Sequence, residues 1–349
     1  MKKITQQDIA DALGFSRITV SKALNGTGNI TDKTKRIVLS KAIELGYPKI
    51  SRENREFLQE SPASPILSAH KSIGLVTYLN CSSDSYWAPI IGGIGSILTQ
   101  KGYDLKLCFV SISNDSTCSY PSNLNQGSLD GMILLGRFTR SHMKQLQKIG
   151  VPMISIDTTY HYERDGLLAD AVLTQNFEPV LNMTSRLISQ GHRKIGYAGR
   201  IDGCLSFRER WEGFRAAMKR HSIPVDQNFC AICKSKPVFA ADDILPLLDR
   251  MDHFPTAFVC ANDSTAIMVM QYLQEKGIHI PEDTAVCGFD NISESEIAGL
   301  TTVHIPKMEL GMRAAEQLLW RIEHPDRPFE LVRLTAQPVF RKSSDITLV

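Results

Sequence analysis

The first 25 residues constrain the fold of this chain more than any other segment, because they predict two short helices around a glycine turn. Thr5 is a candidate N-cap with Asp8 three positions later, and Gly14 is a candidate end of the first helix. Ser16 is the candidate N-cap of the second helix. Apolar residues at helical spacing give each helix one inward face, made of Ile9, Ala10 and Leu13 in the first and Val20, Ala23 and Leu24 in the second. This pattern predicts a helix-turn-helix.

The inward face of the second helix leaves an outward face on its N-terminal half, made of Arg17, Ile18, Ser21 and Lys22. In a helix-turn-helix this is the part of the recognition helix that meets base edges in the major groove. A third helix is predicted between Thr31 and Gly46, with an inward face of Ile37, Val38, Ala42, Ile43 and Leu45. The three helices predict a small DNA-binding head, against the alternative of a helical hairpin within a larger domain.

The composition of the whole chain is that of a globular protein with two or three domains. The chain has 349 residues, 43% apolar and 22% charged. The first 60 residues carry 11 Lys or Arg against 7 Asp or Glu, so the positive charge lies where the helix-turn-helix is predicted. No apolar run reaches membrane-spanning length and no secretory signal precedes the first helix, so we expect no membrane contact and a cytoplasmic location.

The cysteines predict buried, reduced thiols rather than a metal centre. The eight cysteines are scattered, mostly beside apolar residues in strand-like runs. Cys230 and Cys233 are spaced like one half of a zinc site, but no second Cys or His pair follows at the required distance. We therefore expect neither a metal nor a cofactor.

Beyond a Ser- and Pro-rich linker at 61–72, short β-rich runs alternate with helical stretches, which predicts parallel sheets. The predicted strands are 73–78, 105–110, 131–135, 153–156, 194–198, 256–260 and 284–288, and the predicted helices are 90–101, 140–149, 177–190, 207–221 and 264–276. His70–Leu75 and His192–Tyr197 repeat one polar-to-apolar step, which indicates the first strand of each of two α/β lobes. Ligands of such sheets bind where the carboxyl ends of the strands face each other, so we expect a site between the lobes.

Six short strings occur in the order typical of one family, behind the helix-turn-helix. They are Ser16–Asn25, Gly191–Gly196, Arg210–Phe214, Ala261–Asp263, Gly288–Asn291 and Leu300–Val303. With these strings the chain resembles the lac repressor/purine repressor (LacI/GalR) family over nearly its whole length. The resemblance implies an α/β fold: a three-helix head, 1–48; a hinge or linker, 49–72; and a two-lobe body of doubly wound parallel sheets like that of periplasmic binding proteins, 73–349.

The same resemblance implies a homodimeric transcriptional regulator that binds a near-palindromic double-stranded DNA operator under the control of a small-molecule effector. We expect a repressor, and an activator stays open because no residue encodes the position of the operator relative to the promoter. By position in the motif, Arg17, Ile18 and Lys22 match the base-reading residues. The family's phosphate-contacting or capping positions are matched by Thr5, Ser16, Thr19, Ser21, Asn25 and Thr34. Helix capping alone is the structural alternative for these small polar residues.

Between the lobes, the resemblance implies an effector site with six candidate residues: Trp87, Asp157, Ser206, Arg210, Asn262 and Asp290. Arg and Asp can hold vicinal hydroxyls and Trp can cover the apolar face of a sugar, so we expect a sugar or glycoside. Each residue has a structural alternative: Trp87 as core, Asn262 and Asp290 as turn or cap residues, and Arg210 as an interlobe ion pair. A purine effector and a protein corepressor stay open.

The chain departs from the family after the third helix. The Ala-Arg-Ser-Leu pattern of a hinge helix that wedges a leucine into the minor groove is missing. Residues 47–60 stand there instead, and two interpretations stay open. Ser51 can cap a helix that presents Arg52, Arg55 and Leu58, with Leu58 or Phe57 as the wedge. Alternatively, the segment is a flexible tether.

Two other classes of protein are disfavoured. A solute-binding protein with two lobes would need a signal peptide and no helix-turn-helix, which is the reverse of this chain. An enzyme would need catalytic residues, and the chain has no Gly-x-Gly-x-x-Gly, Walker, Gly-x-Ser-x-Gly or His-Glu-x-x-His motif. We therefore expect no enzymatic activity and assign no catalytic or metal-binding residue.

Overall fold

The computed structural model describes residues 4–27, 30–51, 54, 57–58, 71–77, 85–112, 118–120, 124, 129–157, 166–233 and 241–345. Residues 1–69 and 70–349 form two compact units, here called the head and the body. Among the described residues, the body consists of α/β layers, and no helix is long and apolar enough to cross a membrane. Of the candidate hinge residues, Arg52 and Arg55 lie outside the described part of the chain.

The head contains three helices, α1 (Gln6–Leu13), α2 (Arg17–Asn25) and α3 (Asp32–Glu44). The predicted caps are confirmed: Thr5 and Asp8 form a capping box on α1, Gly14 ends it with a φ of 65°, and Ser16 caps α2. The predicted inward positions of Ile37 and Ile43 on α3 are wrong, since these side chains are 40% and 50% exposed. Helical geometry turns a different face of α3 into the core, with Val38, Leu39 and Ala42.

The segment after α3 folds back onto the head. Positions 54, 57 and 58 are helical, and Ile50, Phe57 and Leu58 pack against the core of the three helices. The amide nitrogen Nδ2 of the buried Asn54 donates to the carbonyl oxygen of Leu24, near the end of α2, at 2.7 Å. This bond satisfies a carbonyl that has no partner within its own helix.

The first lobe of the body is built on a parallel six-stranded sheet, in the order β13-β7-β6-β5-β1-β2. Its strands are β1 (Lys71–Thr77), β2 (Tyr103–Phe109), β5 (Gly131–Leu135), β6 (Met153–Ile156), β7 (Asp170–Thr174) and β13 (Leu331–Leu334). A small antiparallel pair, β3 (Ser111–Ile112) and β4 (Cys118–Ser119), follows β2. The helices of lobe 1 are α4 (Trp87–Gln100), α5 (Arg140–Gln147) and α11 (Lys307–Glu323).

The second lobe is built on a parallel four-stranded sheet, in the order β11-β10-β8-β9. Its strands are β8 (Ile195–Arg200), β9 (Ala231–Cys233), β10 (Ala257–Cys260) and β11 (Ala285–Cys287). Its helices are α6 (Phe177–Ser189), α7 (Leu205–Arg220), α8 (Leu245–Leu248), α9 (Asp263–Glu275) and α10 (Ser293–Ile297). An antiparallel pair, β12 (Thr302–His304) and β14 (Gln337–Val339), completes this lobe.

The chain passes between the lobes three times: after β7, between β12 and α11, and between β13 and β14. On the lobe 1 side, α4 and α11 are in direct backbone contact at Gly93 and Gly311. A Cβ on Gly311 would lie 2.0 Å from the carbonyl oxygen of Ile90, and one on Gly93 would lie 2.1 Å from that of Met308. Only glycine permits this approach, so the two helices pack as one rigid layer.

Candidate functional site

The first candidate site is the outward face of α2 in the head. Arg17, Ile18 and Lys22 are exposed there, and Ile18 leaves 67% of its surface open although it is aliphatic. The first turn of α2 contains no acidic residue. The positive end of the helix dipole is therefore uncompensated by a nearby carboxylate, which favours contact with phosphate.

The small polar candidates of the head all take part in local hydrogen bonds. Ser16 Oγ accepts from the backbone N–H of Thr19 at 3.1 Å, and Thr19 Oγ1 lies 2.9 Å from the same oxygen. Asn25 Nδ2 donates to Ser21 Oγ at 3.3 Å. Thr34 Oγ1 lies 2.9 Å from Oγ1 of Thr31, which caps α3. Capping therefore accounts for part of this set, and a phosphate contact would be an additional role.

The second candidate site lies between the lobes and is centred on Arg210 of α7, a buried arginine. Its guanidinium donates from Nε to Asn176 Oδ1 at 3.0 Å and from Nη1 to the carbonyl oxygen of Ala261 at 2.8 Å. The guanidinium carbon lies 3.7 Å from the centre of the Phe289 ring. These contacts fix the orientation of the side chain, so Nη2 points to Asp290 at 3.2 Å.

Asp290 follows β11 and presents a buried carboxylate with unused hydrogen-bonding capacity. Its Oδ1 is the atom 3.2 Å from Arg210, but the alignment is poor, and within the described residues this oxygen accepts no hydrogen bond of good geometry. Burial raises the pKa of Asp290 to about 7, whereas Arg210 and Lys307 act to lower it. A buried carboxylate oxygen that lacks a well-aligned hydrogen bond can accept one from a hydroxyl or N–H group of a ligand.

The lobe 1 side of this site contains Tyr86, Trp87 and Asp157. Asp157 follows β6 with a φ of 66°, and its Oδ2 accepts a hydrogen bond from Ser206 Oγ on α7 of lobe 2. Trp87 is partly buried, and its ring contacts that of Tyr86 edge to face at a centroid distance of 4.7 Å. Burial and then the nearby Asp290 raise the pKa of Tyr86, so its hydroxyl stays protonated.

Asn262 has the structural role that was the alternative for it. It is the N-cap of α9, and its Oδ1 accepts from the backbone N–H of Thr265 at 3.0 Å. Two pairs of candidates are in contact in the cleft: Arg210 with Asp290, and Asp157 with Ser206 across the lobes. Trp87 contacts Tyr86, which lies near Asp290. Asn262 joins them only through the neighbouring Ala261, whose carbonyl oxygen binds Arg210.

Sequence reasoning did not identify three residues of this site: Tyr86, Asn176 and Lys307. Tyr86 adjoins Trp87, so a second aromatic residue beside the first was the available signal. Asn176 accepts from Arg210 and also donates to Glu209 Oε2 at 3.2 Å. Lys307 donates to backbone carbonyl oxygens of the Asp290 loop, a contact that no local pattern reveals.

The family described as "Periplasmic binding protein-like domain" matches residues 184–344. The HTH-type transcriptional repressor PurR of Actinobacillus pleuropneumoniae serotype 3 is 30% identical over 327 residues, which cover 91% of each chain. The protein of the same name from Vibrio atlanticus is also 30% identical, over 94% of this chain and 95% of its own.

Two solved structures are similar over most of their length. A LacI family transcriptional regulator from Enterococcus faecium with bound ribose covers 80% of this chain and all of its own, at 27% identity and a TM-score of 0.66. The lac repressor dimer bound to operator and an anti-inducer has the same fold, at 20% identity, a TM-score of 0.63, and coverage of 98% of this chain and 99% of its own. The chain therefore belongs to the lac repressor/purine repressor family of DNA-binding transcriptional regulators, which are not enzymes.

Proposed function

We propose that this protein is a cytoplasmic repressor whose affinity for its operator is set by a sugar or glycoside bound between the two lobes. The observation that carries the choice of effector is the buried Asp290 Oδ1, which has spare accepting capacity beside the fixed guanidinium of Arg210. A carboxylate and a guanidinium side by side suit the adjacent hydroxyls of a sugar. The aromatic pair Tyr86 and Trp87 suits an apolar sugar face.

A purine is the second candidate effector, and the relatives favour it. Relatives 28–30% identical to this chain are named HTH-type transcriptional repressor PurR. Trp87 can stack on a purine, and a carboxylate or the hydroxyl of Tyr86 can bind a ring N–H or nitrogen. The described residues offer two carboxylates, Asp157 and Asp290, and this acceptor-rich set fits several hydroxyl donors better than one planar base.

In the head, we propose that Arg17, Ile18 and Lys22 read bases, with Arg17 or Lys22 donating to guanine and Ile18 contacting a thymine methyl. The phosphate contacts are assigned to Thr5, Ser16, Thr19, Ser21, Asn25 and Thr34. The functional division proposed is 1–48 for DNA binding, 49–72 for the connection and 73–349 for effector binding and dimerisation. The packing of Asn54, Phe57 and Leu58 on the head supports counting part of the connection with the DNA-binding unit.

We propose a homodimer, which matches a near-palindromic operator by its two-fold symmetry. The body supports this with exposed apolar side chains in both lobes. Ile297 on α10 is 88% exposed, and Leu107 and Phe109 on β2, an edge strand, are 44% and 52% exposed. Two large apolar side chains left open on an edge strand favour a partner at that edge, and Ile297 is a further open apolar position.

The test is a thermal-shift screen of the full-length protein against sugars, glycosides, hypoxanthine and guanine, because a ligand that binds only the folded state raises the melting temperature. We expect a sugar or glycoside to give a concentration-dependent rise that Asp290→Asn abolishes. Asp283→Asn is the matched control, since Asp283 is half exposed and pairs only with His279 among the described residues. A rise with a purine alone would overturn the assignment of the effector.

A further inference from the structure

Lys307, the first residue of α11, is a buried lysine that binds backbone rather than a carboxylate. Only 9% of its surface is exposed, and its Nζ donates to the carbonyl oxygens of Asp290 at 2.5 Å and of Asn291 at 2.9 Å. Burying an ammonium group is costly unless its donors are satisfied. The two backbone carbonyl oxygens of Asp290 and Asn291 therefore offset the cost of burying the Lys307 ammonium group.

The backbone that Lys307 holds has an unusual conformation. Asp290 and Asn291 have φ values of 119° and 50°, which side chains other than glycine adopt rarely. Their N–H groups are held by β12, from Asp290 to the carbonyl oxygen of Val303 at 3.0 Å and from Asn291 to Thr302 Oγ1 at 3.2 Å. Lys307 supplies donors to the two carbonyl oxygens, so its ammonium group helps to keep the loop in this conformation.

Lys307 reaches this loop of lobe 2 from a helix of lobe 1. Helix α11 packs against β5, β6 and β7 and against α4, with which it is in backbone contact at Gly93 and Gly311. Helix α4 begins at Trp87, directly after Tyr86. The two sides of the cleft, the Asp290 loop and the Tyr86–Trp87 pair, are thus joined through Lys307 and this rigid helix layer.

We propose that Lys307 is a positioning residue of the effector site, which fixes the backbone of Asp290 and Asn291 so that the Asp290 carboxylate faces Arg210 and the cleft, and which ties this loop to lobe 1. The inference rests on the proposed effector site, because it assigns a role through Asp290. It makes Lys307 responsible both for the geometry of the loop and for part of the charge around the Asp290 carboxyl.

Charged and titratable groups face Asp290 from four elements. They are Arg210 on α7, Asp263 on α9, Lys307 on α11 and Tyr86 before α4. Burial raises the pKa of Asp290, Arg210 and Lys307 lower it, and Asp263 raises it further. Around Lys307 itself, burial lowers the pKa, whereas Asp290 and Asp263 raise it. His304 also lies close, since it forms a parallel β-bridge with Asp290. Burial lowers the pKa of His304, Lys307 lowers it further, and Glu309 raises it.

The raised pKa of Asp290 makes the stability of the folded protein depend on pH. The pKa of Asp290 is about 7 in the folded chain and that of an unperturbed aspartate is 3.8, so the folded state holds a proton that the unfolded state has released. The stability from this proton is fully present below pH ~4 and is lost as the pH rises to ~7. Without the positive charge of Lys307, the pKa of Asp290 rises, and the loss extends to higher pH.

The experiment measures the unfolding of the full-length protein by denaturant from pH 5 to 9, without any effector. The four proteins are the wild type, Lys307→Met, Asp290→Asn and the double variant. The difference in the free energy of unfolding between the wild type and Asp290→Asn isolates the titration of Asp290. This difference should level off, and so stop changing with pH, above about pH 7, the pKa of Asp290. In the Lys307→Met background we expect this levelling to move up by about one pH unit. Lys307→Arg, which keeps the charge, should restore the wild-type profile.

A purely structural role would give another result. Lys307→Met would then destabilise the wild-type and the Asp290→Asn backgrounds equally at every pH, and the levelling point would not move. That outcome overturns the inference. If Lys307→Met does not fold, Lys307→Gln keeps a donor without the charge and serves the same comparison. Because no effector is used, failure here is distinct from failure of the ligand screen, which tests the effector assignment itself.

Discussion

At the scale of single residues, Arg210 shows how one side chain serves both the fold and a binding site. Its guanidinium donates hydrogen bonds to Asn176 and to the carbonyl oxygen of Ala261, and it stacks on the ring of Phe289. Removing the guanidinium would leave a buried amide oxygen and a buried carbonyl oxygen without their donor, and the Asp290 carboxylate without its ion-pair partner. In comparable sites such a loss costs several kcal/mol. A loss of ligand response in an Arg210 variant would therefore not separate binding from folding, and for this reason Asp290→Asn is the better probe.

Arg17→Ala should weaken binding to the cognate operator by about 1–3 kcal/mol while changing binding to random DNA little, because contacts to base edges carry the specificity. The operator can be obtained by selection from random duplexes, and both affinities measured by fluorescence anisotropy at one salt concentration. Lys49→Ala is the control, since Lys49 is an exposed cation of the head outside α2. Equal losses on both DNAs would make Arg17 a phosphate contact.

Much of the head and of the cleft could be predicted residue by residue, for reasons that the contacts now make clear. The caps Thr5 and Ser16 act within four residues of chain, so their spacing shows in the sequence. Arg210 and Asp290 were predicted from the family motifs, and Asp157 and Ser206 from the family resemblance outside those motifs; the structure pairs Asp157 with Ser206 and Arg210 with Asp290. Lys307 could not be predicted, because a lysine is expected at the surface and its partners are carbonyl oxygens on another lobe.

At the scale of elements, the described residues that follow α3 pack on the head. Phe57 lies under two cations, with Lys35 Nζ 4.2 Å and the Arg36 guanidinium carbon 5.0 Å from its ring centre. Arg36 Nη2 also donates to the carbonyl oxygen of Phe57 at 3.2 Å. These contacts fasten the segment to α3. Phe57 and Leu58 are engaged with the head, so a role as a minor-groove wedge would require them to leave this packing.

Asn54→Ala should destabilise the head by about 1 kcal/mol or somewhat more, because it removes the donor to the Leu24 carbonyl at the end of α2. Amide hydrogen exchange of the full-length protein can measure this, with faster exchange expected in the last turn of α2. Asn54→Asp is the matched variant: it keeps the size of the side chain but replaces the donor with an acceptor. If Asn54→Asp protects α2 as well as the wild type does, the hydrogen bond does not stabilise the helix.

The sequence predicted those helices and strands whose residue pattern is visible within the element itself. It did not predict strands that form only by pairing with a distant part of the chain. The predicted strand 131–135 matches β5, and the predicted helix 177–190 matches α6 to within one residue. The predictions end at 288, so α11 and the strands β12, β13 and β14 were not assigned. The strands β12 and β14 are three residues long and form only by pairing with a distant segment, which periodicity cannot reveal.

At the scale of the whole body, polar contacts join the two lobes on several sides of the cleft. The Arg333 guanidinium of β13 makes a bidentate ion pair with Glu209 of α7, at 2.7 and 2.8 Å. Ser206 binds Asp157, and Lys307 binds the Asp290 loop. Glu209 also accepts from Asn176, which in turn accepts from Arg210. A ligand that changes the position of Arg210 therefore acts on a hydrogen-bond network that extends to Arg333 on β13, the strand after which the chain crosses from lobe 1 to lobe 2.

Ile297→Asp should dissociate the proposed dimer. Ile297 leaves 88% of its surface open on α10, a five-residue helix that already carries Glu294 and Glu296 in its first turn. An apolar side chain in that setting gains free energy only by leaving water, and a charge there would be buried without a partner in a dimer interface. Analytical ultracentrifugation of the full-length protein should show a dimer for the wild type and a monomer for the variant.

The same substitution should weaken operator binding steeply, although α2 is unchanged, because a monomer reads one half-site and loses the gain from binding two sites at once. Phe329→Asp is the control, since Phe329 is an apolar residue 46% exposed on another segment of the body. If Phe329→Asp also gives a monomer, the effect of Ile297→Asp is not specific to α10. If Ile297→Asp stays dimeric and binds its operator normally, the dimer interface lies elsewhere, and the open edge of β2, with Leu107 and Phe109, becomes the next surface to test.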